Sequence, residues 1–329
     1  MKLIADNLID FEQYQARANS ESAHVRPASS WKNMVLSKFH GENQKSGARL
    51  PWRVSHDKVR FRPGEVSVWA GVNGHGKSML LSHAVLGFAA QDERICIASM
   101  EMRPDATMYR MTRQAIGKSY PTDDVISEFS DWTDDRLWIY DQQGTVKANR
   151  IIALGNYCSE ELKIDHLVID SLMKCGIGVD DYNGQKKFVD ELCALGKDTG
   201  LHIHLVAHSR KGEKESDKID KFDIKGASEI TDQVDNVMLV WRNKRKEEDM
   251  QRTSPTGNHD EEPDALLSCV KQRHGEWEGK IRLWFDRQSM TYNEKDRRAL
   301  DWVGLQNDLG VSKNNYSSNS SREPGSDDE

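Results

Sequence analysis

Eight consecutive residues, Gly71-Val72-Asn73-Gly74-His75-Gly76-Lys77-Ser78, combine three glycines with a lysine and a hydroxyl. The pattern G-x-x-x-x-G-K-S is that of a phosphate-binding P-loop. Glycines let successive backbone N–H groups turn inward onto phosphate oxygens. Lys77 is spaced to reach the β- and γ-phosphates, and the Ser78 hydroxyl to ligate Mg²⁺. Gly71, Asn73, Gly74, His75, Gly76, Lys77 and Ser78 are therefore the candidate nucleotide-binding residues. The flanks agree. Glu65 to Ala70 alternates like a strand, and Met79 to Leu86 reads as a helix whose positive end faces the phosphates.

Mg²⁺ needs an acidic partner, and His166-Leu167-Val168-Ile169-Asp170 supplies one: an apolar run ending in a carboxylate. Glu101 follows the apolar run that ends at Met100. There it either orients the water attacking the γ-phosphate or is an ordinary acid at a helix start. His208 closes Leu205-Val206-Ala207-His208 and is either a γ-phosphate sensor or a packed histidine beneath a loop. Lys271 and Arg273 end another apolar run. A guanidinium there suits an arginine finger, or is simply a surface strand end. The charged stretches 209–218 and 223–229 carry Arg210, Lys211, Lys214, Lys225 and Gly226. Such loops either follow a nucleic-acid backbone or are merely solvated.

The elements that must hold these residues alternate. Strands are expected at 94–99, 137–140, 166–170 and 202–207, with helices at 104–116, 146–161 and 186–199 between them. This alternation implies a mostly parallel sheet wrapped by helices. Segments 236–241, 265–272 and 280–285 follow with little helix between them. They should extend the sheet, the last two as an antiparallel hairpin. Upstream, 1–26 has the spacing of a short amphipathic helix, 27–30 reads as a linker, and 31–39 as a second short helix. The expected organisation is an N-terminal helical or linker segment (1–51), an ATPase domain (52–292), a short helix (293–311) and a disordered acidic, Ser-rich tail (312–329).

Composition sets the bounds. The 329-residue chain is 30% charged, with a net charge of −7, so it does not advertise a nucleic-acid binder; basic residues confined to inner loops would still allow one. Five cysteines, none in a C-x-x-C pair, point to reduced thiols rather than zinc or disulfides. With no apolar run long enough to span a bilayer and acids in the first ten residues, the expectation is a soluble, cytoplasmic protein.

Taken in order, GVNGHGKS (71–78), ASMEM (98–102), HLVIDSL (166–172), LVAHSRK (205–211), KGASEITDQVDNVMLVWR (225–242) and KQRHGEWEGKIRLWF (271–285) resemble the RecA-like ATPase domain of DnaB-type ring helicases. Within that group the motifs resemble those of phage primase-helicases and the mitochondrial Twinkle helicase. The resemblance implies a RecA-like P-loop NTPase fold with Mg²⁺ and an NTP (ATP or dNTP). It assigns Glu101 as catalytic base, Asp170 as the metal acid, His208 as sensor, Arg273 as a finger acting in a neighbour's site beside Lys271, and Gln233 as a bridge between nucleotide and DNA loop. It moves Arg210, Lys211, Lys214, Lys225 and Gly226 toward DNA contact.

The implied protein is a replicative helicase of phage type, a hexamer by family likeness, that translocates on single-stranded DNA. It would lack its own primase, work with a separate one, and contact a polymerase through the acidic tail. Its short N-terminal helix would dock on a neighbouring subunit. Two other readings stay open: a RecA- or KaiC-like ATPase, and a loader or binding module that docks on a separate ring.

Overall fold

The computed structural model describes residues 2–4, 10, 12, 27–40, 47–178, 180–208, 227–252 and 259–295. Among these described residues ten strands make one sheet: β1 (Lys2–Ile4), β2 (Val66–Gly71), β3 (Ile95–Ser99), β4 (Leu137–Tyr140), β5 (His166–Asp170), β6 (His202–His208), β7 (Asn236–Arg242), β8 (Ala265–Gln272), β9 (Gly279–Asp286) and β10 (Thr291–Asn293). Their spatial order is β1-β4-β3-β5-β6-β2-β7-β8-β9-β10. Pairing is parallel from β1 through β7 and antiparallel from β7 to β10. The expected α/β architecture, a mostly parallel RecA-like sheet extended by a hairpin, is what the chain adopts.

The helices are α1 (Lys32–His40), α2 (Lys77–Ala89), α3 (Pro104–Ile116), α4 (Asp123–Thr133), α5 (Ala148–Glu160), α6 (Tyr182–Thr199), α7 (Ala227–Gln233) and α8 (Lys244–Met250), of which α2 to α7 contribute to the cores on the two faces of the sheet. Alternate residues of each strand enter opposite cores. Val66, Val68, Ala70, Cys96 and Ala98 pack with Ile151, Leu154, Phe188 and Leu192 of α5 and α6. Trp69, Ile95 and Ile97 pack with Leu80, Leu86, Met111 and Phe129 of α2, α3 and α4. Burial on both faces is why these strands read as unbroken apolar runs. Each fully buried Leu or Phe stabilises the fold by about 2 kcal/mol. The second core reaches back to Ala48 and Leu50, with Ala48 bridged to Phe61.

That second core contains a polar seam. The Trp69 Nε1–H donates to His204 Nδ1 at 3.1 Å, so the His204 proton sits on Nε2 and is donated to His166 Nδ1, also at 3.1 Å. His202 donates from Nδ1 to the Arg62 carbonyl at 2.6 Å and takes the Ser67 hydroxyl on Nε2 at 2.8 Å. His166, His202 and His204 are all buried; His166 and His204 stack on each other and on Phe88, while His202 tilts against His204 and meets Phe61 edge-on.

Four expectations need correcting. Lys2–Ile4 is not helical but adds a parallel strand to the rim of β4. A three-residue segment with two apolar residues cannot tell the two periods apart, and β4's open backbone groups decide. Most of the remainder of 1–26 lies outside the described residues. Ala28–Trp31 is a 3-10 turn leading into α1, not a plain linker, with the Ser30 hydroxyl bonded to the Pro27 carbonyl. Helix α4 was not foreseen, although Val125, Phe129 and Thr133 recur every four residues on its buried side. Helix α8, likewise unforeseen, is capped by the Asn243 side chain accepting from Lys246 N–H. The short helix expected at 293–311 falls almost wholly, and the tail at 312–329 wholly, outside the described residues.

Candidate functional site

The P-loop runs from the end of β2 to the start of α2. Gly76 is the N-cap of α2 and is left-handed, with φ of 79°. A Cβ there would also strike the hydroxyl of buried Tyr292. A Cβ on Gly71 would strike the Val240 carbonyl of the neighbouring strand. Both glycines are thus required by geometry, not by flexibility alone.

Asn73, Gly74, Gly76, Lys77, Ser78, Glu101, Asp170 and His208 line one cleft of about 730 Å³, within the range of small-ligand sites. The parallel register brings them there. Ser99 pairs with Asp170 and Gly71 with His208, so the ends of β2, β3, β5 and β6 open on the same edge.

Lys77 folds back, its ammonium donating to the Gly71 and Val72 carbonyls at 2.9 and 3.2 Å. Burial pulls its pKa down to about 8, against the opposing pull of Asp170 and Glu101. Burial pushes the Asp170 carboxyl up, while a hydrogen bond from Ser78 opposes the rise. Glu101 is held down to about 2 by His208 and by the Ser171 hydroxyl, with burial opposing. The His208 Nε2 contact is long, 3.8 Å, whereas Ser171 Oγ donates at 2.7 Å and is the short bond. A carboxylate this acidic is ionised throughout the neutral range, so it can align and polarise a water but holds a proton only weakly.

Ser78 and Asp170 offer hard oxygen donors on the lining of the same cleft, which fits Mg²⁺, an ion that takes few protein ligands and fills its shell with phosphate and water. Among the described residues, no group of three or more His, Cys, Asp or Glu could hold a metal by itself.

Three cleft cations carried no role in the sequence reading: Arg110, Lys174 and Arg242. Arg110 donates to the Met102 sulfur at 3.1 Å, its buried Nε has no acceptor, and it makes no ion pair with a described residue. Its signal was an arginine three residues after Thr107, beside the buried stripe Thr107, Met111, Gln114 of α3. Arg242 pairs with Glu247 at 2.6 Å and braces the loop, its N–H on His75 Nδ1 at 3.3 Å. His75 is accordingly a buried brace rather than a cleft residue.

Gln233, Lys271 and Arg273 are not brought to this cleft. Gln233 ends α7, and β7 starts three residues later at the opposite end of the sheet, where Asp235 N–H bonds the Val66 carbonyl. Because β8 runs antiparallel, its final residues return to that same end. There Lys271 donates to the Thr231 and Asp232 carbonyls at 2.6 and 3.0 Å. Arg273 donates to the Asp232 and Gln233 carbonyls at 3.2 and 3.0 Å. The six residues of β2 separate this end from the P-loop, roughly 17 Å at strand rise. Arg210, Lys211, Lys214, Lys225 and Gly226 lie outside the described residues. Among the described residues, no helix is long and apolar enough to cross a membrane.

Comparison with known proteins matches the model of the DnaB-like helicase C-terminal domain to residues 57–294. Two solved structures share the fold. One is a DnaB-like replicative helicase studied with its interactions with primase, 13% identical, with 82% of this chain and 68% of that chain covered and a TM-score of 0.66. The other is described as an ATPase domain, 12% identical, with 82% of this chain and 99% of that chain covered and a TM-score of 0.66.

Proposed function

The chain belongs to the DnaB-like helicase C-terminal domain family, and from that membership and the cleft we infer an NTP-driven replicative DNA helicase that moves along single-stranded DNA as a ring. That it is a P-loop NTPase of helicase type follows from the family; the ring, the single-stranded track and the phage type are our proposal. The observation that carries it is the pairing of a complete hydrolytic half-site with an arginine that is stranded from it. Lys77, Ser78, Glu101 and Asp170 share one cleft, while Arg273 lies across the sheet and is half-exposed. An arginine so placed serves the nucleotide of a neighbouring subunit.

In this reading the P-loop amides and Lys77 hold the phosphates of the NTP. Ser78 and Asp170 would hold Mg²⁺, which would supply neutralisation of phosphate charge. Glu101, anchored by Ser171 and facing His208, aligns the attacking water. Arg273 of the adjacent subunit stabilises charge on the transferred phosphoryl group, with Lys271 beside it. Lys77 is also the group that must leave the Gly71 and Val72 carbonyls when phosphate arrives. Arg210, Lys211, Lys214, Lys225 and Gly226 are proposed to contact DNA on the strength of sequence. Gln233 as a nucleotide ligand has no support from the geometry of this cleft. A separate primase, and a polymerase met through the acidic tail, complete the proposed partners, in the host cytoplasm.

The test combines native mass with NTPase and unwinding assays. We expect a nucleotide-dependent oligomer of about six subunits, NTPase stimulated by single-stranded DNA, and separation of a forked duplex. A monomer with and without nucleotide, or strand exchange without unwinding, overturns the proposal.

A further inference from the structure

Asp235 occupies an unusual position for an acid. It is buried, and each of its polar groups is committed. Oδ2 accepts the Val66 N–H at 2.9 Å, at the first residue of the strand that feeds the P-loop. Oδ1 faces the Arg273 Nη1 at 3.3 Å. Its backbone carbonyl accepts the Arg273 N–H at 2.8 Å, and its own N–H bonds the Val66 carbonyl at 2.9 Å. The Arg273 guanidinium is thereby gripped from two sides: Asp235 holds Nη1, and the last carbonyls of α7 hold Nη2.

We propose that Asp235 is a positioning residue for the interface arginine. It seats the Arg273 guanidinium in line with the sheet of its own subunit, so that the arginine reaches a neighbour's nucleotide from a fixed base. This rests on the reading of Arg273 as a residue acting between subunits. The physical need is plain. An arginine has several rotatable bonds, and a group displaced by about 1 Å can cost about 10²-fold in rate. A rigid fork gains most from being pre-organised. The carboxylate is itself fixed by the Val66 amide, which makes it a firmer anchor than the helix carbonyls alone. Asp235 does not touch the reacting atoms of any site; it acts only through Arg273.

Asp235→Asn separates the two roles, because an amide oxygen still accepts the Val66 N–H while the charge facing Arg273 is gone. We expect kcat to fall about 10- to 100-fold with KM for the NTP nearly unchanged, since the P-loop of the same subunit is intact. The second readout is subunit mixing. Lys77→Ala subunits have a normal Arg273 and Asp235, so adding them to Asp235→Asn subunits should restore hydrolysis at each site where an intact P-loop meets an intact arginine. A purely structural defect is not repaired this way, and failure of rescue overturns the assignment. Asp235→Ser, also an uncharged acceptor, is the second variant should the first misfold; if neither folds, Asp235 is a folding residue and the assignment falls. Arg273→Ala is the control. If Arg273→Ala hydrolyses normally, the inter-subunit reading itself is wrong. If it is inactive while Asp235→Asn matches wild type, only the role of Asp235 is wrong.

Discussion

Ser171 donates its hydroxyl proton to Glu101 Oε1 across 2.7 Å, joining the residue after β5 to the second residue beyond the end of β3. Removing that donor should raise the Glu101 pKa from about 2 toward the ordinary carboxylate value, since one of the interactions favouring the ionised form is lost. Ser171→Ala should therefore move the acid limb of the kcat profile to higher pH and lower kcat several-fold at neutral pH. Glu101→Gln should lower kcat by about 10²- to 10⁴-fold while nucleotide binding, read by a fluorescent analogue, persists. An unchanged acid limb in Ser171→Ala would show that the hydroxyl does not set the carboxylate.

Lys77 predicts the alkaline limb. In the free protein its ammonium is charged only below about 8, so the positive charge offered to phosphate is lost as pH rises through that value. The quantity kcat/KM, which reports the free enzyme, should fall above about pH 8. The kcat profile should stay flat to higher pH, because bound phosphate stabilises the ammonium. A kcat/KM that stays level well above that value contradicts this.

Arg273→Ala should reduce hydrolysis by roughly 10³-fold or more, the effect of losing a finger in other P-loop enzymes. Lys77→Ala should be equally inactive. Mixed together, the two inactive proteins should recover NTPase activity, because some interfaces then join an intact lysine to an intact arginine. No recovery in rings of verified mixed composition argues against a shared site.

The buried histidines predict acid sensitivity. Burial lowers His83 to about 3 and His202 to about 4, and pushes His204 well below the ordinary value of 6.5. These groups stay neutral in the fold but take up protons once unfolded. Stability is therefore full above about pH 6.5 and declines as pH falls from there toward the folded values. The limiting slope is about 1.4 kcal/mol per pH unit for each histidine. Urea midpoints at about pH 7.5, 6 and 5 measure it, and equal midpoints would exclude it.

The half-site was legible because Lys77 and Ser78 sit in a recognisable loop motif that opens α2, and its other residues lie at or just beyond the ends of apolar strands. Asp170 and His208 close runs of buried residues, and Glu101 follows one, so strand direction alone puts them at one edge. Ser171 was present in a recognised stretch, but its partner depends on β3 lying beside β5 rather than beside β2, a matter of strand order that local pattern does not encode. Gln233 lies away from the cleft for a related reason. It precedes a parallel strand and so belongs to the sheet's far end, where the antiparallel β8 also delivers Lys271 and Arg273. Arg110 escaped because it has neither a strand end nor a motif, only a place beside a helix's apolar stripe.

Among the described residues, the outermost strands of the sheet are only three residues long, β1 on one side and β10 on the other. A short rim offers few free backbone groups for another molecule to zip onto. Copies of this domain crowded side by side would therefore gain little by fusing their sheets into a ribbon. Side-chain contacts between copies, by contrast, would be exchanged during a cycle of nucleotide turnover far more readily than a ladder of backbone hydrogen bonds.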